Sequence, residues 1–482
     1  MRLVIAMLMV LMSFNGFGAV EVGVVSYSRG LLTGQVEGDF VRIIGKGSPV
    51  HNNEVLTTGR RGLAVIKLDD GTKMTLRPST TFKIEDVNTR QGEENVFLRL
   101  LRGGFRALTG LISKRNPNAF NIGTSVATIG IRGTEFDLRL CEAKECDEEN
   151  RATGKQAENE SRVVGRVAIL NGRASATDQD RSTRILTLGA ALYERDQIQT
   201  GINSYIVVAF NDKSRVTLSP NSVFRIEEHE FKPDLPDENN SFLRFLKGGF
   251  RFVTGAIARL NQKAVRIATP TATIGIRGTG FDLICEGECV SNNASLDVIR
   301  KTTVSKLLNY FLKPVYALGD GNGMYVKVWK GAIEFQLGNA RHVLQSGSAA
   351  YLRNSFSRPQ SIPDIPLNIR NMGGAPRPDR VKINIDLFGG VEKSIIEPGL
   401  YINVREGDVT VRGIDGSRIF LGAGEAGVVG TSGRVERLKF VPPFQKFDRV
   451  PNPRLITERM EKMIDFFGQQ GADKQELECT IR

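Results

Sequence analysis

One stretch of this chain occurs twice. Ala127-Thr128-Ile129-Gly130-Ile131-Arg132-Gly133-Thr134-Glu135-Phe136-Asp137-Leu138 returns as Ala272-Thr273-Ile274-Gly275-Ile276-Arg277-Gly278-Thr279-Gly280-Phe281-Asp282-Leu283, with a single exchange, Glu135 against Gly280. An identity of that length marks a duplicated unit, so the fold must be one that a single chain can hold twice. At 482 residues and 40% hydrophobic content the chain has material for two or three packed domains.

The copies align well upstream of this motif. Thr58-Gly59 matches Thr200-Gly201, Lys83-Ile84-Glu85 matches Arg225-Ile226-Glu227, and Phe97-Leu98-Arg99 matches Phe242-Leu243-Arg244. Between the last two matches the second copy is three residues longer, in polar segments at 86–95 and 228–240 that read as a loop. The period within each copy is that of strands. Residues 63–68, Asp70-Gly71 and 73–76 spell a hairpin, repeated at 205–210 and 215–218 around Asn211-Asp212-Lys213. Pro78 and Pro220 end the second strands, and Gly103-Gly104 and Gly248-Gly249 mark sharp turns or bulges. The repeated Phe82/Phe224, Phe97/Phe242 and Phe105/Phe250 read as core.

Downstream, residues 295–312 have helical spacing, strands resume from Tyr325 to Phe335, and a weaker echo of those strands runs from Tyr401 to Glu425. Residues 358–380 are rich in Pro and Gly and read as a linker. The last apolar pattern, Leu455, Ile456, Met460, Met463, Ile464 and Phe467, is that of an amphipathic helix.

Arg2, the apolar run 3–12 and small Gly16 and Gly18 predict a signal peptide over 1–18, too short to span a bilayer. No later stretch is apolar enough to cross a membrane. The expected location is therefore periplasmic or secreted. Cys141 and Cys146 follow the first copy of the motif and Cys285 and Cys289 the second, so each copy is expected to close a small disulfide loop. A metal site built from both pairs is the alternative, with no histidine nearby to favour it. Cys479 is left over. The net charge of +12 is scattered, which fits a solvated surface or attraction to anionic envelope material and makes nucleic acid an unexpected partner.

The hairpin, the Leu-rich strand and the sequence from Thr269 to Phe281, Thr-Pro-Thr-Ala-Thr-Ile-Gly-Ile-Arg-Gly-Thr-Gly-Phe, resemble the FecR-domain family of bacterial envelope proteins. The first copy departs at Gly123-Thr124-Ser125, which lacks the proline. The resemblance implies an all-β fold of tandem β-rich domains, solenoid-like or sandwich-like, with a few short helices. Together with the residue patterns above, it divides the chain into a signal peptide (1–18), a first FecR-like copy (19–150), a second copy (163–357) with a helical insertion (295–312), a linker (358–380), a partial third β repeat (381–445) and a C-terminal helix (453–468). The best-known members of the family sense occupancy of an outer-membrane iron-siderophore receptor and signal to a sigma factor through a cytoplasmic segment and one membrane helix. This chain is expected to have neither, and so to resemble the exported members whose presumed role is binding or scaffolding.

No acid, base or nucleophile pairing suggests catalysis. His51, His229 and His342 do not match between the copies, and His229 falls in the polar loop, where a solvated ring is expected. The best candidates are Arg132 and Arg277. Each is flanked by glycines (Gly130 and Gly133; Gly275 and Gly278) and followed by Thr134 or Thr279, a setting that could hold an anion or lock the strand end against carbonyls, Asp137 or Asp282. Trp329 lies in a strand pattern and reads as core or half-buried rather than as a sugar platform. The expected protein is a non-catalytic binding or scaffolding module of the envelope with no cofactor and no metal. Its partners would be an envelope protein or a wall polysaccharide; a periplasmic signalling regulator and a peptidoglycan binder are the alternatives.

Overall fold

The computed structural model describes residues 19–116, 118–142, 146, 157–158, 161–286, 323–337, 340–370, 372–383, 386–393, 396–448 and 450–453. The expected signal peptide, the helical insertion at 295–312, Cys289, Cys479 and all but the first residue of the expected C-terminal helix lie outside them. The protein is all-β, with large curled sheets and a few short helices. It divides into two units, 1–160 with 390–482, and 161–389.

The first unit is discontinuous in sequence. Its motif strand, Ala127–Cys141, lies between two sets of partners. On one side are Phe120–Gly123 and Gly104–Leu108; on the other is the long strand Gly399–Gly413, from the far end of the chain. That closing strand pairs in turn with Arg418–Gly422 and Ala426–Gly430. The stretch 381–445, read from the sequence as a partial third repeat, thus supplies strands to the first unit's own sheet. The second unit builds the same arrangement without interruption of this kind. Its motif strand, Thr273–Glu286, pairs with Gly323–Leu337, which pairs with Ala340–Gln345 and Ala349–Leu352. The echo between Tyr325 and Tyr401 therefore reflects equivalent closing strands, and the whole second unit is inserted between the motif strand and the closing strand of the first.

The hairpins form as the turn chemistry dictates. Leu63–Leu68 and Lys73–Leu76 pair antiparallel across Gly71, which sits at φ +87°, and in the second unit Lys213 takes the same left-handed place at φ +68°. Thr58 and Thr200 repeat because each hydroxyl ties the same crossing. Thr58 Oγ1 donates to Arg77 O and accepts from Thr80 N, as Thr200 Oγ1 does with Ser219 O and Ser222 N. At Gly103 and Gly248, both with positive φ, the chain turns a corner and changes partners.

Inside each curl lies an apolar core. Phe82, Phe105 and Phe136 meet edge to face in the first, and Phe224, Phe245, Phe250, Phe252 and Phe281 cluster in the second. Phe97 and Phe242, expected as core, are not in it. They stand on the outward face of their strands, half-buried, beneath the guanidinium groups of Arg99 and of Arg244 and Arg266. Strand period explains the difference, since the inward neighbours are Val96 and Leu98 in one copy and Leu243 in the other. Among the described residues no helix is long and apolar enough to cross a membrane.

Candidate functional site

The repeated motif changes face part-way along. Ile129 and Ile131 point into the core, and so do Phe136 and Leu138, an odd step that strict alternation forbids. A bulge between Arg132 and Phe136 supplies the extra residue, with Gly133 at φ +58°, and Gly278 does the same at φ +61° between Ile276 and Phe281. Gly407 and Gly331 cross over these bulges so closely that a Cβ on either would strike the facing backbone. Gly133 and Gly278 are therefore requirements of the backbone, whereas Gly130 and Gly275 have room for a Cβ. The bulge also divides the outward face into two polar places: one at the arginine, before it, and one at the aspartate, after it.

After the bulge, Asp137 is buried and receives Arg106 Nε at 2.5 Å and Arg405 Nε at 2.7 Å. Arg106 stands directly opposite on the neighbouring strand and donates its Nη1 to Val450 O at 2.8 Å. The segment from Pro443 to Pro453 forms a strap over this face. It is held further by the ion pair of Asp448 with Arg77 and by Asn452, whose amide donates to Glu135 at 2.8 Å. The second unit repeats the device. Arg251 faces Asp282 at 3.4 Å and donates to Ala375 O, and Arg215 donates to Val381 O at 2.8 Å. Residues 358–380, read as a linker, contribute part of this second strap, with short turns at Leu367–Arg370 and Pro378–Arg380. Burial pushes the Asp282 carboxyl above the usual carboxylate range, against the pull of Arg251 and the Trp329 N–H.

The one exchange within the motif is explained by this place. Trp329 occupies the position of Arg405 and donates its indole N–H to Asp282 at 3.0 Å, as Arg405 donates to Asp137. Its ring lies where a Cβ on residue 280 would be, so only glycine fits, whereas the slimmer Arg405 leaves room for Glu135. Arg377 of the second strap stacks on the half-buried ring at 3.8 Å.

Before the bulge, the two arginines have different surroundings. Arg132 is nearly buried, with Nη1 3.4 Å from Asp408, while Arg277 is exposed and donates to Glu334 at 2.7 Å. Their carboxylate partners come from the closing strands. Asp137 and Asp282, considered as partners from the sequence, are taken by Arg106 and Arg251 instead, because the bulge turns them toward the strap.

Two features are not evident from the sequence pattern. Glu54 and Asp196, both fully buried, hold Arg42 and Arg184, and each arginine also donates to a carbonyl of the next strand, Pro49 O at 2.8 Å and Ala191 O at 3.1 Å. The only signal is Arg42-Ile43 against Arg184-Ile185, upstream of the visible alignment. The other is His229, whose solvated loop position the structure corrects. It is buried on the strand Val223–Glu230, bonded to Ser241 Oγ at 3.0 Å and Asn211 Oδ1 at 2.9 Å, in the place that Val87 holds in the first unit. Burial drives its pKa down to about 4, the Asp212 carboxylate at 3.9 Å opposing.

Cys141 and Cys146 form a disulfide, and Cys285 is disulfide-bonded as well. Among the described residues no group of three or more His, Cys, Asp or Glu is placed to hold a metal ion. The FecR protein family matches residues 54–153 and 196–299, the two stretches that carry these hairpins, bulges and aspartate clamps. The chain carries two FecR domains. None of the curated proteins matches it. Two crystal structures of a Parabacteroides distasonis protein, provisionally described as an anti-sigma factor, are similar at 14% identity and a TM-score of 0.23. The match covers 35% of this chain and 59% of that one, and at this score it carries no argument.

Proposed function

We propose that this tandem FecR protein is a non-catalytic regulator working outside the cytoplasm, in which the two FecR domains are recognition bodies and the polypeptide beyond residue 453 engages a partner. The observation that carries the reading is the strap. Arg77, Arg106 and Glu135 fix the chain over the first domain up to Asn452, so the polypeptide beyond it leaves from a defined place. That C-terminal sequence has the apolar spacing of a helix that docks on a partner. The FecR match favours regulation over scaffolding, and the Cys141–Cys146 disulfide is compatible with an oxidising compartment. The charged side chains of the repeated motif bind the chain's own strands and straps, a structural use of groups that a catalytic reading would need elsewhere.

The test is deletion of residues 454–482 in the producing cell, with site-directed crosslinking from position 455 or 460 in the intact chain. A regulator crosslinks to a partner in the intact chain, and the shortened chain loses both that partner in affinity capture and the transcriptional response. Retention of the partner by the shortened chain would favour a scaffold, and salt-resistant retention on purified peptidoglycan would favour a wall binder.

A further inference from the structure

The outward face before the bulge differs between the units in a way that points to a ligand. In the second unit Glu334 stands opposite Gly275 and takes both Arg277, at 2.7 Å, and Arg341, at 3.5 Å. The equivalent of Glu334 in the first unit is Thr410, which stands opposite Gly130, and the equivalent of Arg341 is Arg418. Arg132 and Arg418 thus keep the places of the two arginines while the carboxylate between them is missing. A third arginine, Arg412, replaces the neutral Gln336 and lies opposite Arg418 on the adjacent strand.

The polar groups left behind are unsatisfied. Thr410 is 3% exposed and its hydroxyl has no hydrogen-bond partner, nor has Nε of Arg132, whose side chain is 11% exposed. Arg412 and Arg418 make no ion pair among the described residues, and Arg418 rests over the Phe420 ring at 4.5 Å. Arg418 stands opposite Arg412 on the adjacent strand, and burial, then the Arg412 and Arg132 charges, hold its guanidinium below its usual pKa. Beside them Gly130 leaves a notch, with nothing closer to a Cβ there than Asn121 Oδ1 at 3.6 Å.

We propose that Arg132, Arg412 and Arg418, with the Thr410 hydroxyl, form a binding site for a phosphate group on the first unit, at the place that the second unit fills with its own Glu334. Phosphate suits it better than carboxylate. Glu334 shows that a monoanion is held by two of these arginines, whereas the first unit adds a third, and with Asp408 as the acid beside Arg132 the cluster keeps an excess of about two positive charges against the roughly −1.5 to −2 of a phosphate monoester. Free phosphate and a lipid or glycan phosphate present the same chemistry to these guanidinium groups.

The full chain is titrated calorimetrically with inorganic phosphate at fixed ionic strength, and separately with phosphatidylglycerol vesicles against phosphatidylcholine vesicles. Saturable phosphate binding is expected. T410E, which installs the second unit's carboxylate, and R412Q, which installs its glutamine, should each weaken it by about tenfold or more. R277Q, which removes an equal charge from the second unit, should leave it unchanged. Vesicle binding that T410E abolishes would place the phosphate on a lipid, and phosphate binding without vesicle binding would place it on a soluble or glycan ligand. Absence of saturable phosphate binding, wild-type affinity in T410E, or equal weakening by R277Q would overturn the proposal. Should T410E not fold, the exposed pair R412Q and R418Q decides by the same criterion.

Discussion

His229 gives the second unit an acid sensitivity at the place that Val87 holds in the first. The ring is buried between Ser241 and Asn211, its Nε2 lies 3.9 Å from Asp212, its backbone N–H is bound by Glu194, and its pKa is pushed down to about 4. In the unfolded chain an imidazole titrates near about 6.5. As pH falls the unfolded state takes up the proton first, so the stability held here is complete above the unfolded value and is lost on the way down to the folded one. The loss is about 2 kcal/mol between pH 7 and pH 5, and about 3 kcal/mol over the whole span. The informative variant is His229→Val with Ser241→Val, which copies the paired Val87 and Val96 of the first unit. Urea unfolding at pH 7 and pH 5, with hydrogen exchange of the strand Val223–Glu230 to isolate the second unit, should show wild type losing about 2 kcal/mol more than the variant. Parallel losses in the two proteins would refute the reasoning.

Two further predictions concern the clamp. Asp137→Asn leaves Arg106 and Arg405 facing a neutral group in a buried site, and should destabilise the first unit by about 3–5 kcal/mol, with new protease cleavage in the strap at 443–453, as checked by unfolding and limited proteolysis. Gly280→Glu forces a side chain into the space of the Trp329 ring and should cost about 3 kcal/mol or more. Adding Trp329→Arg, which restores the pair found in the first unit, should recover most of that loss in the same unfolding assay.

Much of each curl is legible in the chain, because the hairpins, the bulge glycines and the corner glycines rest on local rules. Asp70-Gly71 and Gly133 announce their backbone shapes wherever they occur. The features that are not legible are long-range. Nothing local in Tyr401-Ile402-Asn403-Val404 says that it pairs with a strand more than two hundred residues earlier, and a β-strand echo reads equally well as a fresh repeat. The arginine sites show the same limit. Gly-Ile-Arg-Gly-Thr is identical in both copies, but what its arginine faces is decided by Thr410 or Glu334 on another strand. The outward placement of Phe97 is visible in its alternation with Val96 and Leu98, a signal that the repeat of an aromatic, read as core, overrides.

The insertion of the second unit into the sequence of the first is tested by ending the chain after residue 389 and tracking hydrogen exchange strand by strand. Ala127–Cys141 should lose protection, because its partner strand Gly399–Gly413 is gone, while Thr273–Glu286 stays as protected as in the full chain. Full protection of Ala127–Cys141 in the shortened protein would contradict it.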